Sequence, residues 1–507
     1  MLAKTRSVRF RRWPHLQSPP RSLWLQEALR LDSGAEPVPL TTTERADVCI
    51  VGGGYTGLWT ALRLKEADPA LRVVLLEADL CGSGASGRNS GAIGSMAPTL
   101  PRLQARLGNQ GAAAVYQAGI TADHEIVAAC SAYGIDAEQQ QTDHVWVADD
   151  PAVIAGWQQT CEIAAQLGTS VPYRILRGSE LDGHATRPVP GAAGLYTAAT
   201  TYLQPARLAR GLRRAVVGLG VTVHERTPVT ELLLERSGIR VLTASGAVNC
   251  DKLVLAANAW MAHLGEFRRK VMVLSSDMVA TGPINPLIDR IGLRKLPRGR
   301  RNSRLMVNYG RVKDDGIVYM GRAGGTVAYD ARITAAFDRS WAQTRELVAD
   351  FGYLYPELAG AELPHWWAGA IDRSGSGFPF FGHLRDDERV FFGIGYTGHG
   401  VMATSQGGHI LADMCLGRQS QWTELAALYD ALQLDRFPPE PFRYLGGRVV
   451  RASLARKEHA ERDHRRPFVL DRLLAKLAAG TLPAPRTRAS TAAGAQVRRA
   501  EAGTRLG

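Results

Sequence analysis

No run of about 18 consecutive apolar residues occurs anywhere in the chain, which excludes a membrane-spanning helix on sequence grounds. No CxxC pair occurs either: Cys49, Cys81, Cys130, Cys161, Cys250 and Cys415 stand far apart. Scattered thiols offer neither a disulfide framework nor metal-ligand spacing, so no metal is expected, and they suit a reducing, cytoplasmic setting. Acidic side chains are missing from the first 25 positions, which carry six basic ones. That start also lacks an apolar segment, so it does not read as a secretory signal. The formal net charge is +13, yet residues 443–507 hold fifteen basic and five acidic groups, leaving −3 on residues 26–442. A nucleic-acid partner needs a basic footprint on the folded body. The body has none, and the basic ends are expected to be solvated tails.

What is present is a nucleotide-binding pattern. The 507 residues, 45% hydrophobic, suffice for one large core or two moderate ones. The apolar run in ADVCIVGGG predicts a buried parallel strand, YTGLWTALRLKEAD predicts a helix with Leu58, Ala61, Leu62 and Leu64 on one face, and RVVLLE predicts a second strand. In GGGYTG, Gly52 makes the tight turn, Gly54 lets a pyrophosphate approach and Gly57 lets helix and strand pack, with Tyr55 and Thr56 at the helix start. The helix N-terminus offers amides and a positive dipole end to phosphates. Glu77 closes the second strand 20 residues after Gly57. A carboxylate there accepts from both ribose hydroxyls and repels a 2′-phosphate, which favours FAD or NAD over NADP. The loop CGSGASGRNSGAIGS then supplies Ala85, Ser86, Asn89 and Gly91 for a second phosphate, with Arg88 balancing charge.

Farther on, TYLQPARLARGLRRAVVGLGVTVHE and the meander after it return to β-α-β order. Val229 is placed to meet an adenine edge through its backbone, and Asn258 ends the strand KLVLAANAW, where α/β sheets bind ligands. Between 266 and 361 the alternation in VMVLSSDMVATGPI, SRLMVNYG and GIVYMGRAGG predicts an antiparallel sheet with one wet face. A near-copy of the first hexapeptide, GIGYTG, follows at Gly393–Gly398, but neither a second strand nor a ribose acid comes after its helix. A second dinucleotide is therefore not expected.

DVCIVGGGYTGLWTALRL with Glu77, GASGRNSG, KLVLAANAW, WWAGAIDRSGSGFPFFG and GIGYTGHGV together resemble the D-amino-acid oxidase (DAO) superfamily of FAD-dependent oxidoreductases over roughly residues 45–440. Within it the chain is similar to glycine and sarcosine oxidases and to gamma-glutamylputrescine oxidoreductase. The resemblance implies an α/β fold: a Rossmann-like FAD-binding domain of the glutathione-reductase type with an inserted antiparallel-sheet substrate domain. The expected segments are a basic extension (1–44), a discontinuous FAD-binding domain (45–140, 201–265 and 362–442), a substrate domain (141–200 and 266–361), a helical extension (443–480) and a disordered tail (481–507).

The resemblance also implies non-covalent FAD, with Gly395, Thr397, Gly398, His399, Gly400 and Val401 at its pyrimidine end. It implies hydride transfer from an amine or amino acid, and oxygen or another electron acceptor. A flavoprotein acting on modified tRNA and a flavin-binding protein without turnover are the alternatives. For substrate contacts the candidates are Tyr309, Arg322, Arg373 and His399, each equally open to a structural role. Lys270 is a candidate for promoting oxygen reduction in such a family, or else a surface lysine.

Overall fold

The stretch ending in Val51 forms the strand Thr43–Val51, the helix Tyr55–Ala67 leaves the glycine turn, and Val73–Leu76 returns beside the first strand. The computed structural model describes residues 6–11, 21–32, 36–94, 97–169, 173–182, 184, 191–433, 436–463 and 465–478. The predicted tail 481–507 lies outside them. Five strands run parallel in the order Asp387–Ile394, Ala247–Leu255, Thr43–Val51, Val73–Leu76 and Thr222–His224. A parallel sheet needs cover on both faces. Leu58, Leu62, Leu208, Leu212, Ile410 and Leu411 cover one, and Phe267, Phe380 and Phe392 belong to the core on the other. Each such side chain contributes roughly 1.5–3 kcal/mol by leaving water.

Ala247–Leu255 is a fork. Its first half pairs antiparallel with Gly238–Thr243, which continues into Val229–Glu235, and its last three residues pair parallel with Asp387–Ile394. The central strand thereby carries a meander at one end and leaves its carboxyl end open beside two parallel neighbours. That open end is where ligands bind in such sheets.

Among the described residues the second sheet has nine strands. Its main path runs His365–Ser374, Val271–Ala280, Val318–Arg322, Asn308–Val312, Gly299–Asn302, Gln140–Ala148, Ala193–Tyr202 and Ala92–Ile93. All pairs are antiparallel except Gly299–Asn302 with Gln140–Ala148, which join the two inserted segments in parallel. The strand His365–Ser374, grouped by sequence with the FAD-binding segments, pairs along its whole length with Val271–Ala280 in this sheet. Its Trp-rich, alternating pattern fits either sheet, and only the long-range pairing decides.

The N-terminal segment corrects the expectation of a solvated tail in its described parts. Arg6–Arg9 adds a strand beside Val229–Glu235, and in the helix Leu23–Leu31 Trp24 is only 1% exposed. Its ring meets Tyr319 and Trp367 edge-on at 5.1 and 5.6 Å between centroids. Ser22 caps this helix through the Leu25 amide and also donates to the Gly87 carbonyl. Charge composition hid an apolar anchor.

The chain divides into two compact units, Met1–Val449 and Val450–Gly507. The first holds both sheets. The second includes the helix Val469–Ala478, tied by Asp471 to Arg456 at 2.7 Å. Among the described residues no helix is long and apolar enough to cross a membrane.

Candidate active site

At the open end of the parallel sheet, Gly52 and Gly57 of the first hexapeptide have no room for a Cβ. Gly52 has φ +116°, and a Cβ there would lie 2.6 Å from the Ala256 carbonyl oxygen. A Cβ on Gly57 would lie 2.0 Å from the Gly52 oxygen, so helix and strand touch as the pattern requires. Ser86 reaches back from the small-residue loop to accept from the Tyr55 amide at 2.8 Å, at the helix start. The Glu77 carboxylate accepts from the Gly53 and Asp79 amides at 2.7 and 2.9 Å. Burial pushes Glu77 up to about 7 although both amides favour the ionised form.

Several loop residues hold the loop itself. The Asn89 side chain accepts from the Gly91 amide at 2.7 Å and donates to the Ala85 and Ser86 carbonyls at 3.1 Å. Arg88 corrects its predicted role: its guanidinium is buried, ion-paired with Asp338 at 2.9 Å and bonded to the Ser83 and Ala368 carbonyls. A carboxylate of the protein already balances the charge expected to meet phosphate. Val229 starts a strand and packs, half-buried, on the core behind the sheet.

Around the strand end, polar groups lack protein partners. The Asn258 side-chain oxygen and the Trp260 indole N–H are buried with no hydrogen-bond partner among the described residues, and Asn258 itself has φ +47°. Trp260 lies against Gly84 of the small-residue loop. Buried polar atoms left unpaired in a native protein call for an unseen partner. A glycine cradle, a buried acid and orphaned groups at a strand end fit a dinucleotide cofactor here.

The second hexapeptide does something else. Gly395, Thr397 and Gly398 all have positive φ, at +89°, +55° and +85°. Such a backbone gathers amides into an anion-binding nest. The acceptor in it is the protein's own: the Asp372 carboxyl group accepts from the Gly395 amide at 2.5 Å, with the Tyr396 and Thr397 amides also favouring its ionised form. Burial outweighs them and raises Asp372 to about 7. GIGYTG is thus plugged from within. The two hexapeptides also touch, because Thr56 donates to the Tyr396 hydroxyl at 3.0 Å. Gly400 and Val401 begin the helix Gly400–Leu416, which packs on Tyr55–Ala67 so closely that a Cβ on Gly408 would lie 2.5 Å from that of Trp59.

Across from this loop, the second sheet presents one row of neighbours. Arg301 pairs in register with Tyr309 on one side and Trp146 on the other, and its guanidinium stands 4.4 Å from the Trp146 ring centroid. The Tyr309 ring lies over Gly321, and its hydroxyl meets Ser276 at 2.9 Å. Arg373 is bridged through its backbone to Tyr396, beside the second hexapeptide. His399 stands at the position just before the following helix, and its side chain makes no capping bond there. Its side chain keeps solvent-accessible surface, while the protein packed around it is the largest influence on its titration. Burial first, then the cations Arg301, Arg102 and Arg373, pull His399 down to about 4.

Two candidates are corrected. Arg322 is held by Glu346 at 2.6 Å and Asp350 at 3.2 Å on the helix Trp341–Leu354, which covers the other face of the sheet. Lys270 stands over Phe380, with Glu266 at 4.0 Å, in the core region behind the parallel sheet. Arg301, Trp146 and Arg102 are the residues sequence reasoning missed. Their signal was faint: GRRN is a short strand with two arginines, and which one faces inward depends on pairing.

The pattern of the DAO family, FAD dependent oxidoreductases, matches residues 47–414. The chain belongs to this family. It is an FAD-dependent flavoprotein, and the residues that would hold FAD are those of the glycine cradle, Glu77, the small-residue loop and the strand end at Asn258. Gamma-glutamylputrescine oxidoreductase of Escherichia coli (strain K12) is 28% identical over 414 residues, 80% of this chain and 89% of that protein. Glycine oxidase of Pseudomonas putida is 25% identical over 395 residues, 73% of this chain and 95% of that protein. A crystal structure of glycine oxidase from Geobacillus kaustophilus superposes with a TM-score of 0.62 at 21% identity, covering 74% of this chain and 96% of that one. At that identity the likeness shows the fold: this DAO-family protein shares the architecture of a Rossmann-like domain with a second sheet domain.

Proposed function

We propose that this DAO-family flavoprotein oxidises the C–N bond of an amino acid or a similar amine that carries a negative charge. FAD, when bound, supplies the acceptor for hydride from the carbon beside nitrogen, after which water hydrolyses the imine and oxygen or another acceptor takes the electrons. The observation that carries the reading is the row Tyr309–Arg301–Trp146 on the inward face, with Arg373 and His399 beside it. Arginine binds a carboxylate through two parallel N–H donors, and Trp146 holds the guanidinium plane in place.

The same cations act on the amine. Burial first, and then these cations, pull His399 down to about 4, and surroundings that disfavour an imidazolium also disfavour an ammonium. The amine is therefore favoured in its neutral form, whose nitrogen lone pair assists loss of the adjacent hydride. His399 stays neutral near pH 7 and offers an acceptor to the amine N–H. No acid-base residue is required, because positioning and charge do the work. The relatives' names, a glycine oxidase and a gamma-glutamylputrescine oxidoreductase, fit such a substrate class.

The test is anaerobic mixing of the purified yellow protein with amino acids, amines and aminophosphonates, followed by absorbance of the oxidised flavin. Bleaching by at least one anionic amine is expected. A flavin that none of them reduces would remove the proposal.

A further inference from the structure

In the second unit, the helix Val469–Ala478 is held on one side and bare on another. Asp471 and Ala475, one turn apart, are buried, and the Asp471 carboxylate takes two bonds from the Arg456 guanidinium, at 2.7 and 3.2 Å. On a different face Val469, Leu470, Leu473 and Leu477 follow one another at helical spacing, between 46% and 64% exposed, and Phe468 just before them is 78% exposed. Isolated exposed leucines are ordinary, but a continuous stripe on one helix face is not. Cations border it: Arg472 and Lys476 on the helix, Arg465 and Arg466 just ahead. From Val450 to the last residue there are thirteen basic and five acidic side chains.

Two occupants other than lipid fit less well. The sequence after Ala478 has only Leu482, Val497 and Leu506 as large apolar residues, too few to cover the stripe. A second copy seated by two-fold symmetry would set the basic border against itself.

We propose that this helix lies in the plane of an anionic lipid surface, its apolar stripe among the acyl chains and its arginines and lysine against the headgroups. The combination of an apolar face, a basic border and a length too short to span is that of an interfacial helix. Each cation near an anionic surface strengthens binding, and salt weakens it. The protein would then work at a membrane without crossing it.

The experiment is co-sedimentation of the full-length flavin-loaded protein with vesicles of phosphatidylcholine alone or mixed three to one with phosphatidylglycerol, at low and high salt. Retention by the anionic vesicles is expected to exceed that by neutral ones by about tenfold, and to fall with salt. Arg472→Gln and Lys476→Gln should each weaken it roughly fivefold. Leu470→Glu combined with Leu473→Glu should abolish it, with flavin absorbance and thermal unfolding unchanged, since both leucines are exposed. Equal retention on both lipids, or none, overturns the proposal. So does full retention of the leucine variant, which would mean adsorption by charge alone. A concentration-dependent dimer that this variant dissociates, without vesicle binding, would make the stripe an interface between copies instead.

Discussion

Asp372 is the residue on which the second hexapeptide turns. Its carboxylate sits in the nest formed by Gly395, Tyr396 and Thr397, so a motif that resembles a phosphate site serves as an internal clamp. Asn at this position keeps the shape but loses an acceptor, leaving a buried amide unpaired. Asp372→Asn is expected to cost roughly 1–3 kcal/mol in chemical denaturation. The cost depends on pH with a definite sign. Burial raises Asp372 to about 7 from an ordinary 3.8, so the folded chain binds this proton more tightly than the unfolded one. Stability from this group is fully present below pH 3.8 and lost as pH rises through 7. The advantage of the native residue over Asn therefore shrinks from pH 4 toward pH 7. An advantage that grew over that range would contradict the account.

Among the elements, those built on local pattern were legible in the sequence. The strand, glycine turn, helix, strand and acid around Gly52–Gly57 are consecutive, and the structure has them as Thr43–Val51, Tyr55–Ala67 and Val73–Leu76. The meander and the alternating strands of the second sheet were legible for the same reason, since side chains alternate at a period of two. What local pattern could not decide was partnership. His365–Ser374 goes to the second sheet through pairing with residues almost a hundred positions away. Within Gly299–Asn302, Arg300 lies over Tyr355 at 5.2 Å while Arg301 lies over Trp146, a choice made by register. The helix Leu23–Leu31 was masked by its basic surroundings. If it is the anchor its burial indicates, Trp24→Ala costs about 3–5 kcal/mol and is read as a lowered melting temperature. A change near zero would return the segment to the status of a tail.

At the scale of the whole molecule, two sheets divide the labour. The parallel sheet offers a glycine-lined strand end with orphaned polar groups, and the second sheet sets Tyr309, Arg301 and Trp146 on its inward face. The residues proposed to hold the cofactor form a contiguous motif, which is why their strand, turn and helix were legible in the sequence. The proposed substrate side draws on strands between residues 146 and 373 and on the loop at His399, so no local spacing announced it. On the function proposed above, this arginine-bearing face selects a carboxylated amine. That selection is tested most directly by the anaerobic rate of flavin reduction with an α-amino acid and with the amine lacking its carboxylate, in the native protein and in Arg301→Met. The account predicts that the native protein half-saturates at roughly 100-fold lower amino acid than amine, as expected for a partly buried charge pair, and that Arg301→Met erases most of this difference while retaining its flavin. Equal saturation by the two compounds, or a preference untouched in Arg301→Met, would contradict it.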